Sequence, residues 1–268
     1  MVRMPIIFYS TQDAAGSNIA KALVENHGFE ERELEMGFFV WDAKGIKLVQ
    51  VEDKTVDSGN LSHFFSSDLF VFASRHSSES GKPCLTVHAP GNWNANAEVG
   101  GNPKELALTS AKAIKCAFVF LSENRLEGFD PFLECSHHGP TALKHPCIFI
   151  EVGSTEKEWN NEAAVELVSE AVLHVCRNYE REAGKVSLGF GGGHYCPCFG
   201  KLEGEYAFSH VAPKYVLDGI EKELVAQAVE KTVEDVELAV IDGKGTTKEQ
   251  RNKLVQVFEE LGLKWEKR

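Results

Sequence analysis

The sequence has no long hydrophobic run. Of its 268 residues, 43% are hydrophobic and 25% are charged, as in an ordinary globular protein. No apolar stretch approaches the roughly 18 residues that a membrane-spanning helix needs. Residues 1–9 are too short for the apolar core of a signal peptide and carry no small-residue cleavage pattern. We therefore expect a cytoplasmic protein with no membrane partner.

Cysteine shows no disulfide framework. The seven cysteines are odd in number and scattered, and Cys116, Cys147 and Cys176 lie in apolar runs. This usage favours a reducing compartment.

An excess of positive charge is also missing. Lys and Arg number 28 against 40 Asp and Glu, which gives a formal net charge of −12. Nonspecific nucleic-acid binding relies on a basic field, so we expect no DNA partner. A local basic patch remains compatible with this total, because residues 244–268 hold seven Lys or Arg against four Glu.

Several well-known catalytic motifs are absent. There is no H-E-x-x-H, no C-x-x-C and no G-x-S-x-G, and the glycines at 191–193 lack the Lys-Ser/Thr of a P-loop. A nucleotide cofactor is therefore not expected. A Ser-His pair built on His76 ranks below water activation, and the pair Cys196-Pro197-Cys198 is weak evidence for a metal site.

Strand patterns alternate with helix patterns along the chain. This alternation predicts an α/β, three-layer fold with a mixed, largely parallel sheet, built as a single domain over 1–268 with residues 215–268 as a candidate subdomain. The predicted strands are Ile6–Tyr9, Asp68–Ala73, Leu85–His88, Ala117–Leu121, Cys147–Val152, Val186–Phe190 and Val236–Ile241, with a hairpin over residues 38–51. The predicted helices run from about residue 14 to 26, from Asn102 to about Lys115, from Asn160 to Ala183, and onward from a capping box of Thr246 and Glu249.

Polar clusters follow several of these strands. The segment 134–141 reads E-C-S-H-H-G-P-T, and His76, His88, His194 and His210 follow other strands or a glycine turn. In open α/β sheets, sites gather at the carboxyl ends of strands. Neutral imidazole is the commonest side-chain ligand of zinc, so convergence of these loops would create a hydrolytic zinc site. His27 and His174 are expected to be structural.

Three segments together resemble the D-aminoacyl-tRNA deacylases of the archaeal and plant type. They are S-R-H-S-S-E-S-G-K-P-C-L-T-V-H-A-P-G-N-W (74–93), E-C-S-H-H-G-P-T (134–141) and G-F-G-G-G-H-Y (189–195). The resemblance covers essentially the whole chain. It implies hydrolysis of the ester between a D-amino acid and the terminal ribose of tRNA, with broad side-chain tolerance. It also implies two Zn2+ per chain and a fold similar to peptidyl-tRNA hydrolases and nucleoside phosphorylases.

With this reaction in view, we assign roles to the polar residues as hypotheses. His76, His137, His138 and Glu134 are the predicted catalytic residues. The predicted metal ligands are His76, His88, His138, Glu134 and His210. The predicted substrate contacts are His194, Gly192, Gly193, Arg75 and Lys82, with the segment Lys244–Lys253 as a further contact for the acceptor end of tRNA.

Some alternatives stay open. A different hydrolase or a nucleoside phosphorylase could share the fold, and a non-catalytic tRNA-binding protein could use the histidines for a structural zinc. Neighbours on an extended chain point to opposite faces. His137 and His138 can therefore share a pocket only if the turn at Gly139-Pro140 bends them together. The sequence predicts a monomer or a small homo-oligomer.

Overall fold

The computed structural model describes residues 4–32 and 34–268, so residues 1–3 of the N-terminal segment considered above lie outside it. It confirms an α/β fold with a mixed, largely parallel sheet. The strands in the described residues are β1 (Ile6–Ser10), β2 (Glu30–Glu31), β3 (Val40–Ala43), β4 (Ile46–Val51), β5 (Phe70–Arg75), β6 (Cys84–His88), β7 (Asp130–Leu133), β8 (Cys147–Gly153), β9 (Lys185–Phe190), β10 (Tyr206–Ala212), β11 (Leu238–Ile241) and β12 (Trp265–Lys267). The α-helices are α1 (Ala14–Asn26), α2 (Ala111–Glu123), α3 (Glu156–Trp159), α4 (Glu162–Asn178), α5 (Pro197–Gly200), α6 (Lys222–Glu230) and α7 (Lys248–Leu261).

The strands form a large and a small sheet. The large sheet has the order β2-β3-β4-β1-β5-β8-β6-β7, and the small sheet has the order β10-β9-β11-β12. In the large sheet β1, β4, β5 and β8 run parallel, whereas β6 is antiparallel to β8 and β7 is parallel to β6. The predicted hairpin is confirmed, because β3 and β4 pair antiparallel. The small sheet is parallel throughout. Its strands lie between Lys185 and Lys267.

Helix α2 is the main correction to the sequence-based elements. It begins at Ala111 with Ser110 as its N-cap, so residues 102–110 are not helical and residues 117–121 are not a strand. The carboxylate of Glu234 accepts hydrogen bonds from the Ser110 hydroxyl and the Ala111 amide, which fixes this start. The helix packs against α4 and the large sheet on one side and against β10 of the small sheet on the other. Because it is buried on several sides, its apolar run has no polar face and reads like a strand.

The other helix starts differ by small shifts. The final helix begins one residue later than predicted, with Thr247 and Gln250 forming the capping box instead of Thr246 and Glu249. Helix α4 covers most of the predicted 160–183 helix and ends at Asn178, where a 3-10 turn, Tyr179–Arg181, follows. The cap of α1 is Asp13, whose carboxylate also accepts from Ser74 and the Arg75 amide and so ties the helix to the end of β5.

The two faces of the large sheet are covered differently. Helices α1, α2 and α4 bury one face, which contributes Ile148, Ile150 and Val152 from β8. The opposite face contributes Phe72 and Phe149 and is covered by loop residues such as Leu61 and Leu143. Because no long helix in the described part of the chain covers the opposite face, polar side chains on that face can line a cavity that is open to solvent. Among the residues described, no helix is both long and apolar enough to cross a membrane.

Candidate active site and metal centre

The polar residues meet on the loop-covered face of the large sheet. Side chains alternate between faces along a strand, so Glu151 points away from the helices that cover its neighbours Ile150 and Val152. Thr86 lies opposite Glu151 in the β6–β8 pair and donates a hydrogen bond to its Oε2 at 3.3 Å. His88 ends β6 on the same face and stacks on Phe149, with ring centroids 5.3 Å apart.

Two buried carboxylates form the floor of the site. Glu134, which directly follows β7, has Oε1 3.1 Å from His76 Nδ1 and 3.2 Å from His194 Nε2, and Oε2 3.8 Å from His88 Nε2. Glu151 Oε2 lies 3.7 Å from His88 Nε2 and 3.8 Å from His76 Nδ1. The side chain of Glu134 therefore presents one oxygen to His76 and His194 and the other to His88.

The imidazoles pack against one another above this floor. The His137 ring lies between those of His88, His138 and His194, with centroid separations of 4.2, 4.4 and 4.6 Å. His138 has a left-handed backbone, with φ of 47°, and this turns its ring back toward His137. The bend that the sequence placed at Gly139-Pro140 thus begins at His138 itself.

Backbone carbonyls orient three of these rings. Nδ1 of His88, His137 and His138 lies 3.2, 2.9 and 2.6 Å from the carbonyl oxygens of Ala89, Cys135 and Gly139. A ring that donates Nδ1–H carries its lone pair on Nε2. Histidines that bind metals are usually held in this way. The Nε2 atoms of these three histidines are therefore the available ligands.

Unsatisfied buried atoms indicate what the site can hold. His88 Nε2 and both carboxylate oxygens of Glu134 are buried without a hydrogen bond among the described residues, although histidine nitrogens approach Glu134 closely. Leaving such atoms unpaired is costly, whereas bound cations would satisfy them. Four residue sets place their ligand atoms within 4.8 Å of one another: His88, His137 and His138; Cys135, His137 and His194; His76, Glu134 and His194; and His88, Glu134 and Glu151. Nitrogen, thiolate and carboxylate donors in sets of three fit a divalent transition metal.

The charged groups in the cluster shift one another's pKa values. Burial would lower the pKa of His194, but its contacts with Cys135 and Glu134 outweigh burial and raise that pKa to about 11. Burial would raise the pKa of Glu151, but its contacts with His76 and His88 hold that pKa well below its usual range. Burial, followed by the neighbouring His137 and His88, lowers the pKa of His138. The site thus combines an ionised Glu151 carboxylate with both charged and neutral imidazoles.

Residues near the cluster add further hydrogen-bonding groups. The Tyr195 hydroxyl lies 3.0 Å from His76 Nε2. Cys135 Sγ lies 3.5 Å from both His194 Nδ1 and the Tyr215 hydroxyl. The contact with Cys196 and the two neighbouring histidines, His137 and His194, lower the pKa of the Cys135 thiol despite its burial. The Cys135 thiol therefore adds a third type of candidate metal ligand to the imidazoles and carboxylates of the cluster.

The cluster opens into a cavity of about 520 Å3. His76, His137, His138 and His194 line it on one side, and Arg75 and Lys54 bring positive charge to its wall. The guanidinium of Arg75 lies over the Trp159 ring at 5.1 Å. A cavity of this size falls in the range of small-molecule sites.

The structure places some predicted site residues outside the cluster. His210 is fully buried, with Nδ1 3.0 Å from the Ser136 hydroxyl and Nε2 3.1 Å from the Ala107 carbonyl, so both ring nitrogens have protein partners. Burial lowers the pKa of His210 to about 4. Lys82 does not line the cavity and pairs with Asp130 at 2.6 Å.

The glycine turn and the basic segment lie beside each other. The Gly192 amide donates to the Gly245 carbonyl at 3.1 Å, so it is not free to bind an oxyanion. Gly193 directly precedes His194. Within the segment Lys244–Lys253, the side chains of Arg251 and Lys253 donate to backbone carbonyls, and Lys244 is exposed. This segment therefore borders the turn that carries His194.

Sequence reasoning missed Glu151, Cys135 and Tyr195 as members of the site. Glu151 had a readable signal, because it is the single charged residue in the apolar strand C-I-F-I-E-V-G. A carboxylate in a fully buried strand is rare unless it is paired or binds a metal. The contact between Tyr195 and His76 joins residues 119 positions apart and has no local signal.

Comparisons with known proteins show a family to which the chain is similar. The family described as D-aminoacyl-tRNA deacylase matches residues 63–266. Proteins named D-aminoacyl-tRNA deacylase from Thermococcus kodakarensis and Thermococcus onnurineus are 37% and 38% identical over 271 residues, covering 98% of this chain and 99% of each relative. A relative of the same name from Methanocaldococcus jannaschii is 35% identical, over 75% of this chain and 82% of its own.

A solved structure shares the whole fold. The crystal structure of a conserved protein of unknown function superposes with a TM-score of 0.90 at 30% identity, covering 99% of this chain and 95% of the other. Both the sequence and the fold therefore match over nearly the full length. The chain belongs to the D-aminoacyl-tRNA deacylase family.

Proposed function

We propose that this protein hydrolyses the ester between a D-amino acid and the terminal ribose of tRNA, releasing the free D-amino acid and tRNA. The observation that carries the proposal is the cluster of imidazoles and two buried carboxylates at one wall of a 520 Å3 cavity. An aminoacyl ester is an activated acyl group. A positioned water would therefore suffice to cleave it, together with a group that accepts the proton of the water and protonates the departing ribose oxygen.

We further propose zinc as the bound metal, with two ions per chain. Glu134 belongs to two candidate ligand sets, one with His76 and His194 and the other with His88 and Glu151. Its Oε1 faces the first set and its Oε2 faces the second. Zinc, when bound, supplies hydroxide at neutral pH.

The remaining residues would bind and orient the substrate. His137 and His138 line the cavity beside the carboxylates, where either ring could hold the proton that the departing ribose oxygen takes up. Arg75 and Lys54 would attract the tRNA phosphates, while Asp57 and Glu98, also on the cavity wall, would attract the α-ammonium group. The size of the cavity suits a broad range of side chains.

For the assembly and the compartment we propose what the sequence predicts. All seven cysteines are free thiols, which fits action in the reducing cytoplasm, where tRNAs are charged. We propose that the protein acts there as a monomer or a small homo-oligomer on the acceptor end of tRNA.

The decisive experiment uses D- and L-tyrosyl-tRNA with the purified protein, before and after treatment with a chelator and re-addition of Zn2+. We expect cleavage of the D ester only, loss of cleavage after metal removal and recovery with Zn2+. Equal cleavage of both enantiomers, or of neither, would overturn the proposed reaction. Full activity after verified metal removal would overturn the metal mechanism alone.

Two controls separate the alternatives. A nucleoside phosphorylase would require inorganic phosphate for turnover, whereas ester hydrolysis would not. A binding protein with a structural zinc would lose thermal stability on chelation but would cleave no ester at any metal concentration.

A further inference from the structure

A second, smaller cavity adjoins the first. It has a volume of about 190 Å3 and shares Glu98, Val99, His137 and His138 with the 520 Å3 cavity. Ligand pockets usually begin near ~300 Å3, so this cavity fits one planar group rather than a whole ligand. The two cavities therefore meet at the imidazole wall of the proposed reaction centre.

The lining of the small cavity is suited to an aromatic base. Tyr215 is 61% exposed, an unusual exposure for a large aromatic side chain, and it lines the cavity. Its hydroxyl contacts Cys135 Sγ at 3.5 Å, and that sulfur contacts His194, which anchors the exposed ring at the site. Trp93 is buried at the cavity, with its indole nitrogen bonded to the Val211 carbonyl. Exposed aromatic rings of this kind stack with nucleobases.

Two amide groups can read the edge of such a base. Asn94 and Asn96 line the cavity and are exposed. Their Oδ1 atoms accept hydrogen bonds from the Asn96 and Glu98 backbone amides at 2.8 and 3.0 Å, which fixes their orientation. Within residues 4–32 and 34–268, neither Nδ2 group has a hydrogen-bond partner in the structure. Both therefore remain available as donors, and the ring nitrogens of adenine are acceptors.

We propose that the small cavity binds the terminal adenine of the tRNA while the large cavity binds the amino acid. This inference rests on the proposed function, in which the ester joins an amino acid to the ribose of the terminal adenosine. The ester bond lies between the amino acid and the base, so a substrate spanning both cavities places the ester at the shared wall of His137 and His138. Tyr215 stacks on the adenine, and Asn94 and Asn96 donate to its edge.

The test compares two small substrates, 3′-O-D-tyrosyl-adenosine and D-tyrosine ethyl ester. The adenine preference is the ratio of their kcat/KM values. It is measured in the wild-type protein, in Tyr215→Leu, in Tyr215→Phe and in Trp265→Leu, an exposed aromatic on β12 that lines neither cavity. Loss of base stacking should reduce the preference roughly 5- to 100-fold in Tyr215→Leu. Tyr215→Phe and Trp265→Leu should retain it.

A binding measurement makes the inference independent of catalysis. Saturation-transfer NMR with adenosine 5′-monophosphate and cytidine 5′-monophosphate should show stronger transfer to the adenine nucleotide in the wild type and its loss in Tyr215→Leu. An unchanged ester preference in Tyr215→Leu would overturn the inference. Binding of the free nucleotide without any ester preference would do the same, because it would make the cavity a nucleotide site unrelated to the tRNA end.

Failure of the proposed function is distinguishable from failure of this inference. If the wild type cleaves no D-aminoacyl ester, the proposed reaction is wrong. The nucleotide-binding measurement alone then decides whether the small cavity binds adenine. Adenine-selective binding that depends on Tyr215 then supports a base site, and binding without adenine selectivity overturns it. If D-tyrosyl-tRNA is cleaved while Tyr215→Leu keeps the full preference, only the base site falls.

Discussion

His137 and His138 are adjacent in the chain, yet their rings pack edge to face, with centroids 4.4 Å apart and planes at 70°. The cause is the left-handed backbone of His138, with φ of 47°. Alternation of side chains between two faces applies to an extended chain, and this residue is not extended. Both rings consequently approach the ring of His88, with centroid separations of 4.2 Å for His137 and 4.8 Å for His138.

This geometry separates the chemical role of His138 from its conformational role. Replacing the ring should lower kcat/KM for D-tyrosyl-tRNA by about 100-fold whichever residue replaces it, because ligand and base functions are both lost. The cost in stability should depend on the replacement. Gly and Asn tolerate a positive φ, whereas Ala is strained there. We therefore expect His138→Ala to melt at a lower temperature than His138→Gly or His138→Asn.

His27→Ala is the matched control for these variants, because His27 lies at the end of α1 and pairs with Glu166, outside the site. It should retain near-wild-type activity. Near-wild-type rates in His138→Asn would show that only the backbone conformation matters and would remove His138 from the reaction.

Glu134→Gln tests whether one carboxylate serves two ligand sets. The amide keeps the side-chain volume but removes the negative charge that faces His76, His194 and His88. Zinc content, measured by elemental analysis, should fall by at least one ion per chain, and kcat should fall by about 100-fold. The rise in melting temperature on adding Zn2+ should shrink or vanish, because metal binding stabilises only the folded state that can bind it.

Glu203→Gln provides the comparison, since Glu203 is also buried and has one unpaired oxygen but belongs to none of the metal-ligand sets. It should bind zinc as the wild type does. An unchanged zinc content in Glu134→Gln would contradict the shared-carboxylate assignment.

The loops that meet at the candidate site were identified from the sequence, but the strand directions that bring them together were not. The expectation was that polar residues gather at the carboxyl ends of parallel strands. Because β6 is antiparallel to β8, the end of β6 at His88 pairs with Phe149, near the start of β8. The site therefore lies across the face of the sheet, where the mid-strand residue Glu151 becomes a central member. Strand direction is a long-range property that local patterns do not report.

A second error has a related cause. The run of residues 117–121 reads as a strand because it is almost entirely apolar, yet it belongs to α2, which contacts both sheets. The hairpin of β3 and β4 and the buried strand β8 were predicted close to their observed bounds, whereas β2 and β12 were not predicted. A short, wholly apolar run does not distinguish a buried strand from a buried helix. His210 lies outside the cluster because its ring contacts Ser136 and Ala107, which are distant from it in sequence.

Arg75 and Lys82 should differ as tRNA contacts, although sequence analysis grouped them. Arg75 lines the large cavity, whereas Lys82 is paired with Asp130 away from it. Arg75→Gln should raise KM for D-tyrosyl-tRNA and reduce the dependence of log KM on log salt concentration by about one unit of slope, as for loss of one phosphate contact. Lys82→Gln should change neither quantity appreciably.

D-tyrosine ethyl ester has no phosphate, so its KM is the internal control for both variants. Equal effects of the two substitutions on tRNA, or an equal effect of Arg75→Gln on the ethyl ester, would argue against a phosphate contact at Arg75.

Glu203 should make stability depend on pH. Its side chain is 1% exposed, its Oε2 has no hydrogen-bond partner among the described residues, and burial raises its pKa to about 8, opposed by the Phe208 amide and the nearby Lys115. The unfolded chain releases this proton near pH 4.5, and the folded chain holds it until about pH 8. Between these values the folded state binds more protons, so stability falls as the pH rises.

The Glu203→Gln variant cannot ionise, so it should lose this dependence. Its free energy of unfolding, relative to the wild type, should increase by roughly 4 kcal/mol between pH 5 and pH 9. Glu205→Gln is the matched control, because Glu205 lies in the same loop but is exposed and paired with Lys185. Its pKa is lowered by that contact, so it is ionised throughout this range, and its difference from the wild type should stay constant. A constant difference for Glu203→Gln as well would mean that Glu203 is ionised in the folded protein at pH 5, with a counter-charge outside the contacts described.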